Sequence, residues 1–211
     1  GYERAIISVK EDRDSNDLFI LSILITFFAS IILLIFLFLF EEPLKQFLNA
    51  KKLHLWWYVI PFIIFLNNLN KIIKTYANRF KNYKLIANVS IVKSIFYIII
   101  VLGCGYLGFS SDGLFFAEIS VSLIIIIFII TVYKKFLKKI NFSSRQRLKK
   151  TAKRFIKFPV FVIGPVLLNN LNTLIPIIFL IKFYPASVVG YYFLALKAIH
   201  FPISFISSSI S

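Results

Sequence analysis

From Leu18 to Phe40 the chain runs without one charged side chain, through Leu, Ile and Phe broken only by Ser22, Thr26, Ala29 and Ser30. A run of that length is enough, as a helix, to cross a hydrocarbon core of about 30 Å. Inside lipid only a helix or a closed barrel satisfies its own backbone groups. Five further stretches read the same way, giving six spans at residues 18–40, 55–77, 85–108, 114–133, 158–183 and 188–211. The predicted fold class is all-α, a polytopic bundle of transmembrane helices. Composition agrees, with 59% hydrophobic and 16% charged residues and a mean hydropathy of +0.83. Soluble domains run nearer half apolar and about a quarter charged. The second span is the weakest, with Lys71 and Lys74 in its last turns, and the fifth carries Pro159, Pro165 and Pro176.

A net charge of +16 would suggest nucleic acid in a soluble chain, but here the basic residues lie between apolar runs. If the loops alternate sides, Lys and Arg gather in 1–17, 78–84 and 134–157, joined by Lys71 and Lys74. The opposite side holds only Lys45, Lys51 and Lys52, and Lys93, Lys182 and Lys197 fall inside spans. The positive-inside rule makes the first side cytoplasmic and leaves no need for a nucleic-acid partner. His54, Trp56, Trp57 and Tyr58 mark the outer interface, and Pro43 to Leu48 is either a short surface helix or a plain loop. The basic segment 134–157 reads as a topology anchor against anionic headgroups, which makes membrane lipids a partner. Cys104 is the only cysteine, so no internal disulfide forms. The chain opens on a polar segment and stops inside an apolar run, which reads as a piece of a longer protein.

Polar groups at membrane depth are costly, so each is a candidate functional residue. Asn67, Asn70, Lys71, Lys74 and Asn78 recur at spacings of three and four, which places them on one helix face. Asn67 lies about 16 Å from Asn78 along the helix, near mid-membrane. A water-filled cleft and interhelical hydrogen bonding both fit that stripe. In the fifth span Pro165, Asn169, Asn172, Thr173 and Pro176 share a face. Two mid-helix prolines fit either a broken helix with amides at mid-depth, a common way to build a transport site, or a kinked helix whose asparagines bond it to neighbours. Lys182 and Glu118 sit near span ends and read as interfacial, whereas Lys93 is open between snorkelling and lining a cavity. Lys197, about 14 Å into the last span, is the most nearly central charge and is read as functional.

The chain has no clustered Asp, Glu, His or Cys at metal-ligand spacing, no phosphate-cradling Gly-rich loop and no nucleophile motif. Neither a metal nor a cofactor is expected, and the outer loops are too short for the acceptor-holding domain of a membrane-embedded glycan polymerase or ligase. The expectation is a transporter rather than an enzyme.

Several local motifs carry a resemblance. GYERAI leading through an acidic segment into the first span, and FPVFVIGPVLLNNLNTLIPIIFLIKFYPASVVGYYFLALKAIHFPISFI from Phe158 onward, resemble Wzx-type polysaccharide flippases. These belong to the multidrug/oligosaccharidyl-lipid/polysaccharide exporter superfamily. The matching residues are Phe158, Pro159, Leu168, Asn169, Pro176, Gly190, Tyr191, Tyr192, Lys197 and Pro202. The position of Lys197 is often Arg in that family, so a two-pronged grip on a phosphate is lost here if that was its role. The resemblance implies a fold of two six-helix bundles, twelve to fourteen helices in all, in the bacterial cytoplasmic (inner) membrane. This chain would supply a cytoplasmic segment and four helices of the first bundle (1–133), a basic linker (134–157) and two helices of the second (158–211). The implied function is O-antigen or related surface polysaccharide export. A polyprenyl-diphosphate-linked oligosaccharide would be flipped across the membrane by alternating access, beside other polysaccharide-assembly proteins. Alternatives are a cation-coupled multidrug exporter of the same superfamily and a glycan polymerase or ligase. The residues expected to line the substrate cavity are Lys197, Asn169, Asn172, Thr173, Lys93, Asn67, Lys71 and Lys74.

Overall fold

The computed structural model describes residues 1–47, 55–109, 112–137 and 144–210. Lys51, Lys52 and His54 lie outside them. Every regular element among the described residues is an α-helix. Each of the six apolar stretches coincides with one, and the molecule is an all-α membrane helix bundle.

The chain begins with a short helix, α1 (Tyr2–Ser8), followed by α2 (Asp12–Leu39). At 28 residues α2 is about 42 Å long, so its acidic first turns project beyond a hydrocarbon core. Next comes α3 (Glu41–Phe47), which resolves the 43–48 segment as helix as far as Phe47. Then follow α4 (Trp56–Arg79), α5 (Tyr83–Tyr106) and α6 (Asp112–Val132). After the single turn α7 (Lys134–Leu137) come α8 (Arg145–Arg154), α9 (Lys157–Phe183) and α10 (Ala186–Ile210).

Four of these, α2, α5, α6 and α9, are long and apolar enough to cross a membrane by length and composition alone. The helix α4 is as long as α5, but Asn67, Asn68, Asn70, Lys71 and Lys74 crowd its second half. Its failure as a purely apolar span marks where the polar chemistry is. One of the two readings of the fifth span is overturned. Pro165 and Pro176 do not break the fifth span, and α9 is one unbroken helix. The carbonyls of Phe161 and Asn172 each lose a backbone donor to proline, but the flanking turns hold the helical path.

The chain divides into two compact units, one comprising Gly1–Leu39 and Leu53–Ile163, the other Phe40–Lys52 and Gly164–Ser211. The first has a continuous core in which α1 packs on α2 and α4, α2 on α4, and α6 on both α4 and α5. Lipid removes the water-driven force between helices, so close approach and hydrogen bonds must hold such a unit together. Ala5, Ala77 and Ala117 are fully buried at these contacts. Trp57 Nε1 donates to the Leu37 carbonyl at 3.3 Å, and Asn88 Nδ2 to Tyr133 Oη at 2.8 Å. At the α5–α6 crossing a Cβ on Gly113 would lie 2.7 Å from that of Cys104. No larger residue fits there without movement.

The three segments read as sharing one side, 1–17, 78–84 and 134–157, meet at one end of this unit. Arg79 donates to the Lys10 carbonyl at 2.8 Å and lies 3.3 Å from Asp12. The helix α8 is capped by the Ser144 hydroxyl, which accepts from Arg147 N at 3.4 Å. It clasps the first turns of α2 through two carboxylates. Arg147 Nε and Thr151 Oγ1 donate to Asp17 Oδ2 at 2.8 and 3.0 Å, and Arg154 Nη1 to Asp14 Oδ2 at 2.9 Å. Asp17 is fully buried.

In the second unit Lys182 lies over the rings of Phe47 and Phe183 at 5.8 Å from each centroid. Its ammonium therefore rests on aromatic faces near the end of α9.

Candidate site: a lysine and asparagine cavity in the first unit

The spacing of Asn67, Asn70, Lys71, Lys74 and Asn78 along α4 puts them on one face. That face opens on a cavity of about 600 Å³, to which α5 adds Lys93. Four of the eight residues singled out from the sequence thus share one cavity: Asn67, Lys71, Lys74 and Lys93. Both readings left open for α4 find a counterpart, since the face lines a cavity and Asn67 and Lys74 also hydrogen-bond to α5. A second cavity of about 360 Å³ is lined by Ser22, Thr26, Ser30 and Asn68, among others, and has no lysine.

The three ammonium groups are held differently. Lys71 is the most exposed, at 63%, and lies 3.6 Å from Glu3. Lys74 Nζ donates to Ser90 Oγ at 3.0 Å, and that hydroxyl in turn donates to the Ile86 carbonyl at 2.9 Å. Among the described residues no carboxylate lies within ion-pair reach of Lys74. Lys93 Nζ donates to Asn67 Oδ1 at 3.2 Å and to Glu118 Oε1 at 3.4 Å. Lys93 was open between snorkelling and lining a cavity, and it lines the cavity. Its position is about 15 Å along α5 from Tyr83, too deep for its ammonium to be drawn only to the basic end.

Two residues outside the set expected to line the cavity complete the arrangement. Asn70 is 6% exposed. It lines the cavity, and among the described residues neither its amide nitrogen nor its oxygen has a hydrogen-bond partner. An unpaired buried amide costs about 1–3 kcal/mol, so a ligand that pairs it recovers that cost. Glu118, on α6, lies 3.4 Å from Lys93 Nζ. One signal for it was available, since Glu118 is the only carboxylate inside any of the six spans.

Chemically the cavity is a set of donors, two lysines only loosely committed, with amides beside them. An ammonium is a compact point charge with three donors, suited to phosphate oxygens. A volume of this size falls in the ordinary range for small-ligand sites.

The other four candidates lie in the second unit. Asn169, Asn172, Thr173 and Lys197 are all exposed, and Thr173 Oγ1 donates to the Asn169 carbonyl at 3.2 Å. Asn169, Asn172 and Thr173 share a face of α9 and Lys197 lies on α10, and none of the four lines the cavity of α4 and α5.

A family model described as polysaccharide biosynthesis protein matches residues 1–211. No curated protein and no solved structure matches the chain.

Proposed function

Because the chain belongs to the polysaccharide biosynthesis protein family, we propose that it is the carrier that moves a lipid-linked sugar across the membrane. In this reading the protein is a flippase of the bacterial cytoplasmic membrane. Its substrate is a polyprenyl-diphosphate-linked oligosaccharide, and it works by alternating access rather than by making or breaking a bond. Lys71, Lys74 and Lys93 receive the diphosphate, Asn67 and Asn70 supply amide hydrogen bonds, and the sugar extends away from the cations. Lys197, Asn169, Asn172 and Thr173 are proposed to serve the same substrate from the second unit.

The observation that carries the reading is Lys74. It is a cation in the last turns of the second span, in a cavity, answered by a hydroxyl and, among the described residues, by no carboxylate. Charges inside a bilayer are rare and pair with something. A lysine without an acidic partner points to an anion that arrives from outside the protein. A cation-coupled drug exporter would call for acidic groups in that position.

The test is surface polysaccharide in a strain lacking the full-length protein, complemented with Lys74 variants. Lys74→Ala is expected to abolish export at normal membrane abundance, and Lys74→Arg to retain most of it. Normal export by a well-expressed Lys74→Ala variant would remove the cavity from the transport path.

A further inference from the structure

We propose that Glu118 is the resting counter-ion of Lys93, and that a phosphate of the substrate displaces it when the cavity fills. The inference rests on the flippase reading and adds to it the element that lets the substrate go.

Glu118 and Lys93 enter the membrane from opposite ends. Glu118 lies about 9 Å along α6 from Asp112, and Lys93 about 15 Å along α5 from Tyr83. Lys93 lines the cavity and Glu118 does not. The lysine is therefore the only link between the carboxylate and a bound ligand among the residues that line the cavity. Its Nζ is 3.4 Å from Glu118 Oε1 and 3.2 Å from Asn67 Oδ1. Charge-assisted bonds that serve as fixed struts sit nearer 2.7–2.9 Å, as Arg147 and Asp17 do at 2.8 Å. The Lys93 and Glu118 side chains also keep 36% and 25% of their surface exposed. This is a loose pair on a flexible four-carbon stem, free to turn its ammonium toward the cavity.

Around the pair, α4 presents Asn67 directly, with Lys71 and Lys74 farther along the same cavity wall. Among the described residues no carboxylate lines the cavity itself, and Glu3 stands to Lys71, at 3.6 Å, as Glu118 stands to Lys93. Substrate phosphate and Glu118 therefore compete for one ammonium. By linkage, whatever factor the carboxylate takes from substrate affinity, the substrate takes from the ion pair. An all-cation cavity would hold a diphosphate too tightly to release it. Glu118 limits that grip and reclaims Lys93 as the substrate leaves.

The experiment is a two-by-two set of full-length variants, Glu118→Gln, Lys93→Ala and both together, titrated with farnesyl diphosphate in detergent. The glutamine keeps the shape and an acceptor oxygen but drops the charge. Glu118→Gln is expected to bind roughly fivefold or more tightly, and on the Lys93→Ala background to change nothing. In vesicles Glu118→Gln should lower KM and kcat together, which a merely structural carboxylate would not do. Unchanged or weaker binding by Glu118→Gln, or equal tightening on both backgrounds, overturns the inference. Lys74→Ala separates it from its premise. If Lys74→Ala loses binding while Glu118→Gln is silent, the cavity stands and the exchange falls. If the unaltered protein does not bind the diphosphate, both fall.

Discussion

At the scale of single residues, Asn70 separates a binding role from a structural one. Its amide is buried and, among the described residues, unpaired, and such a group destabilises the protein that carries it. Asn70→Leu should therefore raise thermal stability in detergent, by about 1 kcal/mol, while impairing export. Lower stability with normal export would make Asn70 a packing residue. The sequence shows Asn67, Lys71 and Lys74 as a set because a single helix fixes their spacing. Lys93 and Glu118 are different. Their meaning lies in a pair between two helices, and nothing in the local sequence of either specifies the other. A lone acid among apolar spans was the signal, legible only once charges are counted by depth.

At the scale of elements, α8 shows how a basic segment becomes more than an anchor. Leu148, Ala152 and Phe155 pack against the hydrophobic core, and Arg147, Thr151 and Arg154 reach the carboxylates of α2. Arg145, Lys149, Lys150 and Lys153 remain exposed, on the side free to meet headgroups. The hydrogen bond that Arg147 donates to Asp17, followed by the charge of that carboxylate, raises the guanidinium above its ordinary value, with burial acting the other way. A raised basic group stabilises at every pH below its ordinary value and fails only as pH climbs through the raised one. For arginine that range is far above neutrality. The Arg147 contribution to the clasp should thus be flat between about pH 6 and pH 9 and weakened by salt at the part-exposed guanidinium. Asp17→Ala should free α8 at every pH in that range, seen as faster proteolysis near Arg145–Arg154. Unchanged cleavage would mean that the apolar contacts alone hold it. The same scale explains why α9 is unbroken. Proline at mid-helix removes a donor in any sequence, but whether the helix parts depends on the turns around it.

At the scale of the whole molecule, the apolar runs were enough to specify an all-α membrane protein, since lipid leaves few other folds open to them. The cavity was legible in part, as a stripe on α4 whose other wall could not be read. Packing of α5 and α6 against α4 supplies that wall, and long-range packing is the information a periodicity does not contain. The family match fixes the biology more coarsely, as polysaccharide biosynthesis, and the lysines carry the narrower proposal. A carrier and an enzyme on one pathway differ in what becomes of the substrate. The full-length protein should be reconstituted in vesicles loaded with a polyprenyl-diphosphate-linked oligosaccharide, and the exposure of the sugar to an external lectin followed over time. The account predicts that sugar confined to one leaflet becomes accessible from the other, chemically unchanged, and that Lys74→Ala stops this. Sugar that is released, polymerised or transferred, or that crosses equally well with Lys74→Ala, would contradict it.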